Sequence, residues 1–142
     1  MSEPATCLEF AHDEVAAELI ALETGALRRW GAGDPDGYLE LCDEQVTYFD
    51  PLVDGRVNGL VELRRYYDAI RGQVRIDRFE LVDPRVVVGG SMAVLSFNFR
   101  SEGGNDLFHW HCTEVYFRRP TGWRLVQTHW SWVRPQPPPV RP

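Results

Sequence analysis

Three side chains carry groups from which proton-transfer chemistry is built: the carboxylates Asp50 and Glu114 and the imidazole of His129. Asp50 closes the run Val46-Thr47-Tyr48-Phe49-Asp50-Pro51, β-branched and aromatic and stopped by proline, as a short strand is. Alternation puts Val46, Tyr48 and Asp50 on one face. An acid at the inner end of a strand facing an aromatic-lined cavity is placed as a general base would be. Its plainer role is to cap the Asp50-Pro51 turn in water.

Along Asp106 to Arg118, alternation sets Phe108, Trp110, Cys112, Glu114 and Tyr116 on one face and His109, His111, Thr113, Val115 and Phe117 on the other. If the hairpin at Pro120 to Gly122 pairs Arg118 with Trp123, Cys112 faces His129 and Glu114 faces Gln127. A slip of one residue exchanges every one of these assignments. On this register a histidine and two carboxylates converge, and an imidazole changes charge near neutral pH, so the three can divide acid and base roles. The plainer reading of His129 is a hydrogen bond to a buried partner such as Tyr48. Tyr48, Tyr67, Phe99, Trp110, Cys112 and Gln127 are the expected ligand contacts.

His109 and His111 share a strand face, and with a third ligand they would suit zinc. His129 falls on the opposite face of this register, so no metal site is expected, and the pair is read as part of a face packed on another subunit. The same outer face carries Val126, Thr128, Trp130 and Trp132 on the last strand and Val94 on an earlier one. That is a large apolar patch for a monomer, and a homodimer through the convex sheet is expected from it.

The elements that must position these residues follow from period and punctuation. Val15, Leu19, Leu22, Ala26 and Trp30 recur at helical steps over residues 13–30, and Gly31 and Gly33 end that helix. Asp34-Pro35 opens a short second helix with Tyr38, Leu39, Leu41 and Cys42 on its buried side. Asn58 caps a third, in which Leu60, Leu63, Tyr67 and Ile70 form the stripe up to Gly72. Strands follow over 75–88, with a bend at Asp83-Pro84, then 91–100, 106–118 and 122–133, separated by Gly89-Gly90, Gly103-Gly104-Asn105 and Pro120-Thr121-Gly122. Such short connections give antiparallel hairpins. Helices first and a meander afterwards define an α+β fold, with three N-terminal helices on the concave face of a curved antiparallel sheet. Residues 1–12 read as an extension, 13–134 as the domain and 135–142, with five prolines, as a disordered tail.

The strings Trp30-Gly31-Ala32-Gly33-Asp34, Val46 to Pro51, Asn58-Gly59 before Tyr66-Tyr67, and Gly122-Trp123 leading to His129-Trp130-Ser131 resemble the nuclear transport factor two-like superfamily over residues 14–133. The resemblance implies a cone-shaped domain, on which isomerases, dehydratases, cyclases, binding modules and oligomerisation domains are all built. Gly33-Asp34, Tyr38, Cys42-Asp43, Phe49, Tyr67, Asp83-Pro84 and Arg118-Arg119 resemble the association domain of type II calcium/calmodulin-dependent protein kinase. That relative implies oligomerisation and an arginine-lined pocket, but Phe99 and Glu114 stand where two of its arginines are aligned. Asp50-Pro51 resembles the base of the ketosteroid isomerase group, whose first-helix tyrosine is replaced near Ala26.

With 142 residues, 44% of them hydrophobic, the chain has the size of one domain. Its net charge of -6 disfavours nucleic acid and anionic membrane surfaces as partners. The absence of an apolar run of about 18 residues is read as a cytoplasmic protein without membrane association. Cys7, Cys42 and Cys112 have neither disulfide nor zinc spacing and are read as reduced thiols. Two classes of function follow. One is a small-molecule binder or a cofactor-independent isomerase or lyase of the SnoaL-like type, acting on an apolar or carbonyl-bearing ligand through Asp50; the other is a non-catalytic association module.

Overall fold

Helix α1 (Glu3–Gly31) turns Val15, Leu19, Ala26 and Leu27 into the core, the one-sided burial that its apolar period demands. It starts well before the expected Asp13. The computed structural model describes residues 3–134, with side chains from residue 12; the proline-rich tail and the Cys7 thiol lie outside the described residues. After Gly33, at φ +86°, Asp34 accepts the backbone N–H of Asp36 at 2.9 Å and so starts α2 (Asp36–Leu41), which buries Tyr38, Leu39 and Leu41. Helix α3 (Gly59–Ile70) buries Leu63 and Tyr67.

The sheet has strands β1 (Cys42–Phe49), β2 (Val57–Asn58), β3 (Arg78–Gly89), β4 (Met92–Gly103), β5 (Asp106–Arg119) and β6 (Gly122–Trp132), in the order β2-β1-β6-β5-β4-β3. The last four strands form the expected antiparallel meander. The sheet as a whole is mixed, because β1 lies parallel to β6; the short strand β2 pairs antiparallel with β1. The bend at Asp83-Pro84 is a register break between Val82 and Arg85, with Asp83 at φ 53°.

A second break overturns the expected register of β6. Arg118 does face Trp123, and Tyr116 faces Leu125, but Val115 then faces Gln127, so Val126 is an extra residue in the strand. Beyond it, Glu114 faces Thr128, Thr113 faces His129 and Cys112 faces Trp130. Because side-chain direction has period two, the bulge exchanges the faces. Thr128 is buried and Trp130 packs on Phe97, Phe99 and Trp110, so the expected convex patch of Val126, Thr128, Trp130 and Trp132 is not formed. The outer face instead exposes Val87 and Val94, paired across β3 and β4, next to Val115.

The link from α3 to β3 is stitched to both layers. Gly72 and Ile76 donate backbone N–H groups to the carbonyls of Gly33 and Gly31, at 2.8 and 2.9 Å, and Asp77 donates to that of Glu102 at 2.7 Å. The link passes so close to Gly103 that a Cβ there would stand 2.3 Å from the Arg75 carbonyl oxygen. Gly103→Ala is therefore expected to lower stability by about 1–3 kcal/mol in urea unfolding, the cost of forcing atoms into a filled contact. An unchanged midpoint would mean that the link moves away freely.

Candidate functional site

Between the helices and the inner sheet face lies a cavity of about 540 Å³. One wall is the helical side: Trp30 packs on Tyr67 at 4.8 Å between ring centroids, and Tyr67 and Tyr66 lie 5.5 and 5.8 Å from Tyr48 on β1. The other wall is the sheet: Trp130 lies edge-on to Phe99 and Trp110 at 5.4 and 6.1 Å, and Trp110 meets Trp132 at 5.7 Å. The link residues Gln73 to Ile76 complete the rim.

Asp50 stands at the helical wall, half-buried, in the turn that ends β1. Its Oδ2 accepts the hydroxyl protons of Tyr48 and Tyr66 at 2.6 and 2.7 Å, and its Oδ1 accepts the backbone N–H groups of Leu52 and Val53 at 2.7 and 3.0 Å. Four donors occupy the four lone-pair directions of the carboxylate. It caps its turn with one oxygen and meets the two tyrosines of the cavity wall with the other. Burial first, then the Asp50 charge and the bond to it, push the Tyr48 hydroxyl well above the ordinary tyrosine range, and the Tyr66 hydroxyl rises for the same reasons.

Of the other expected contacts, Tyr67, Phe99 and Trp110 line the cavity with Tyr48. Cys112 is buried beneath the lining. The bulge turns Gln127 outward, where its amide donates to the Thr47 carbonyl and hydroxyl at 3.1 and 2.8 Å. His129 is also outside, exposed and ring-stacked on Phe49 at 4.9 Å, so it does not converge with Asp50 or Glu114. Tyr48, offered as its partner, gives its proton to Asp50 instead.

Glu114 does face inward, but beneath the cavity floor and out of reach of solvent. There it meets a residue absent from the expected set, Glu23 of α1, whose carboxylate accepts the hydroxyls of Tyr38 and Tyr116 at 2.5 and 2.7 Å. The signal for Glu23 was its spacing, four residues after Leu19 and four before Leu27 on the buried stripe. Glu23, Cys112 and Glu114 bring possible metal-ligand atoms within 4.8 Å of one another, the one such group among the described residues. Neither Glu114 oxygen meets a well-aligned donor, so a carboxylate there would be unsupported. Burial, then the neighbouring Glu23 charge, hold Glu114 well above the ordinary glutamate range, and burial raises Glu23 too. Of the two, Glu114 is the one held more firmly in its neutral form. Tyr38 connects the pair to the cavity, since it lines the wall and donates to Glu23.

The chain belongs to the SnoaL-like domain family, which it matches over residues 9–135. Among solved structures it is similar to a ketosteroid-isomerase candidate from Parabacteroides distasonis, at 39% identity and a TM-score of 0.79, covering 85% of this chain and 89% of that one. It is similar as well to the CaMKII hub homology domain of Chlamydomonas reinhardtii, at 26% identity and a TM-score of 0.70, over 84% and 98% of the two chains. A dehydratase candidate of the NTF2-like family from Streptomyces avermitilis, 24% identical with a TM-score of 0.71 over 87% and 99%, shares the fold. No curated protein matches the chain. The expected superfamily and α+β cone fold are thus the ones found.

The raised Glu114 carboxyl sets a pH dependence. A carboxyl whose folded-state pKa is raised adds stability that is complete below its unfolded value, about 4.3 for glutamate, and is lost as pH climbs through the folded value. Glu114→Gln, which is neutral at every pH, is expected to match the native protein near pH 4 and to exceed it by ~1–4 kcal/mol near pH 8, as neutral replacements of buried charge do. Parallel stability curves for the two proteins between pH 5 and 8 would refute a raised Glu114.

Proposed function

We propose that the protein binds a small, mainly apolar molecule in the aromatic cavity, with Asp50 and its two tyrosines as the polar end of the site. The observation that carries this reading is the cavity itself: about 540 Å³, within the size range of small-molecule sites, walled by aromatic rings, with a half-buried carboxylate in the wall. A proton leaving a bound molecule would reach Asp50 through the Tyr66 oxygen, which accepts it while the Tyr66 proton passes along its 2.7 Å hydrogen bond to Oδ2. His129 and Glu114 have no part in this route. The family tie and the similarity to an isomerase candidate support a reaction of this proton-transfer class.

Native mass spectrometry of the purified protein is expected to show a retained small molecule or, from ligand-free protein, one-to-one uptake of 2-naphthylmethanol. Ile70→Trp, which puts a larger ring into the cavity wall, should weaken that uptake at least tenfold with an unchanged circular dichroism spectrum. Uptake indifferent to this change would place the ligand elsewhere.

Association is a second reading, favoured by the exposed Val87 and Val94 and by similarity to proteins described as kinase hub domains. On this reading the outer sheet face is the interface, and Val94→Arg is expected to reduce the mass found by light scattering to that of one chain. A mass unaffected by the change would exclude that face.

A further inference from the structure

We infer that the ligand is a cationic amine: an ammonium group carried on an apolar or aromatic body, bound with its charge beside Asp50 and its body between the tryptophans. This rests on the cavity being the binding site.

The argument is one of proton inventory. Four tyrosines line the cavity: Tyr38, Tyr48, Tyr66 and Tyr67. A hydroxyl has one proton to give. Tyr48 and Tyr66 give theirs to Asp50, and Tyr38 gives its own to Glu23. Three of the four phenols therefore offer a ligand lone pairs and no proton. A ligand carbonyl or carboxylate finds few hydroxyl donors there, Tyr67 and Ser101, whereas an N–H group finds acceptor oxygens on Tyr48 and Tyr66 beside Asp50.

Charge points the same way. The charged side chains on the lining are Asp50, Asp106 and Arg75, and Arg75 is turned to Asp77 at 2.8 Å. The lone pairs of the Asp50 carboxylate are taken by four donors, so what it presents to the cavity is negative charge, which a ligand cation can use. The indole N–H groups of Trp110 and Trp130 are spent on Ser101 and Thr128, which leaves the ring faces as the main thing these residues present, and tryptophan faces attract cations best among aromatic rings. A net charge of -6 draws cations to the protein from a distance.

The test is titration calorimetry with three compounds that share one ring system: 2-naphthylmethylamine, a cation at pH 7, 2-naphthylmethanol, which is neutral, and 2-naphthoate, an anion. The amine is expected to bind at least tenfold more tightly than the alcohol, with the naphthoate weakest. Asp50→Asn should erase the preference for the amine over the alcohol. Tyr66→Phe, which keeps the ring and removes one acceptor, should reduce that preference, and it serves if the Asp50 variant does not fold. Equal or tighter binding of the alcohol or the naphthoate would overturn the amine assignment and leave the cavity reading intact. An amine preference that survives both substitutions would also overturn it. No binding of any of the three would remove the cavity reading and the inference together.

Discussion

The extra residue in β6, Val126, determines what the cavity is made of. A bulge adds one residue to one strand of a pair and reverses the direction of every side chain beyond it. Beyond Val126 the strand sends Thr128, Trp130 and Trp132 inward and Gln127 and His129 outward. The outward set is also used, because Gln127 grips the Thr47 carbonyl and hydroxyl and so ties β6 to β1. Strand β1 ends in the turn that holds Asp50. One strand thus supplies two of the three tryptophans of one wall and anchors the strand that presents the acid of the other.

The two inward acidic centres sit in opposite surroundings. Asp50 is partly solvated and surrounded by donors, two of them backbone N–H groups that cannot be withdrawn without unmaking the turn. Glu114 is sealed in a region where the nearest charge is another carboxyl, and the neutral acid is the form that region tolerates. Tyrosine hydroxyls serve both centres. Those of Tyr48 and Tyr66 converge on Asp50, and those of Tyr38 and Tyr116 converge on Glu23, so aromatic side chains supply much of the polar interior as well as the apolar lining.

Most of the fold was legible in the sequence because it rests on local signals: helical period over Val15 to Trp30, glycine and proline punctuation between the strands, and alternation within each strand. Asp50, Tyr48, Tyr67, Phe99 and Trp110 were placed on the cavity by such signals together with the resemblance of Asp50-Pro51 to an isomerase base. His129 and Gln127 were misplaced because counting across a hairpin assumes an unbroken ladder, and Val126 in the run Leu125-Val126-Gln127 carries no glycine to mark the break. Glu23 was passed over for a different reason. A charged residue on an apolar stripe is read as a flaw in the pattern unless its partners are known, and these lie as far along the chain as Tyr116. The parallel contact of β1 with β6 joins strands far apart in the chain, and local punctuation is silent about such pairings.

The aromatic walls have an optical consequence. Four of the five tryptophans, Trp30, Trp110, Trp130 and Trp132, border the cavity, while the fifth, Trp123, is buried under the Arg118 guanidinium. The intrinsic ultraviolet emission of the protein therefore comes mostly from indoles that share one cavity. Filling that cavity changes the surroundings of four emitters at once, so the protein carries its own spectroscopic record of whether the space is occupied.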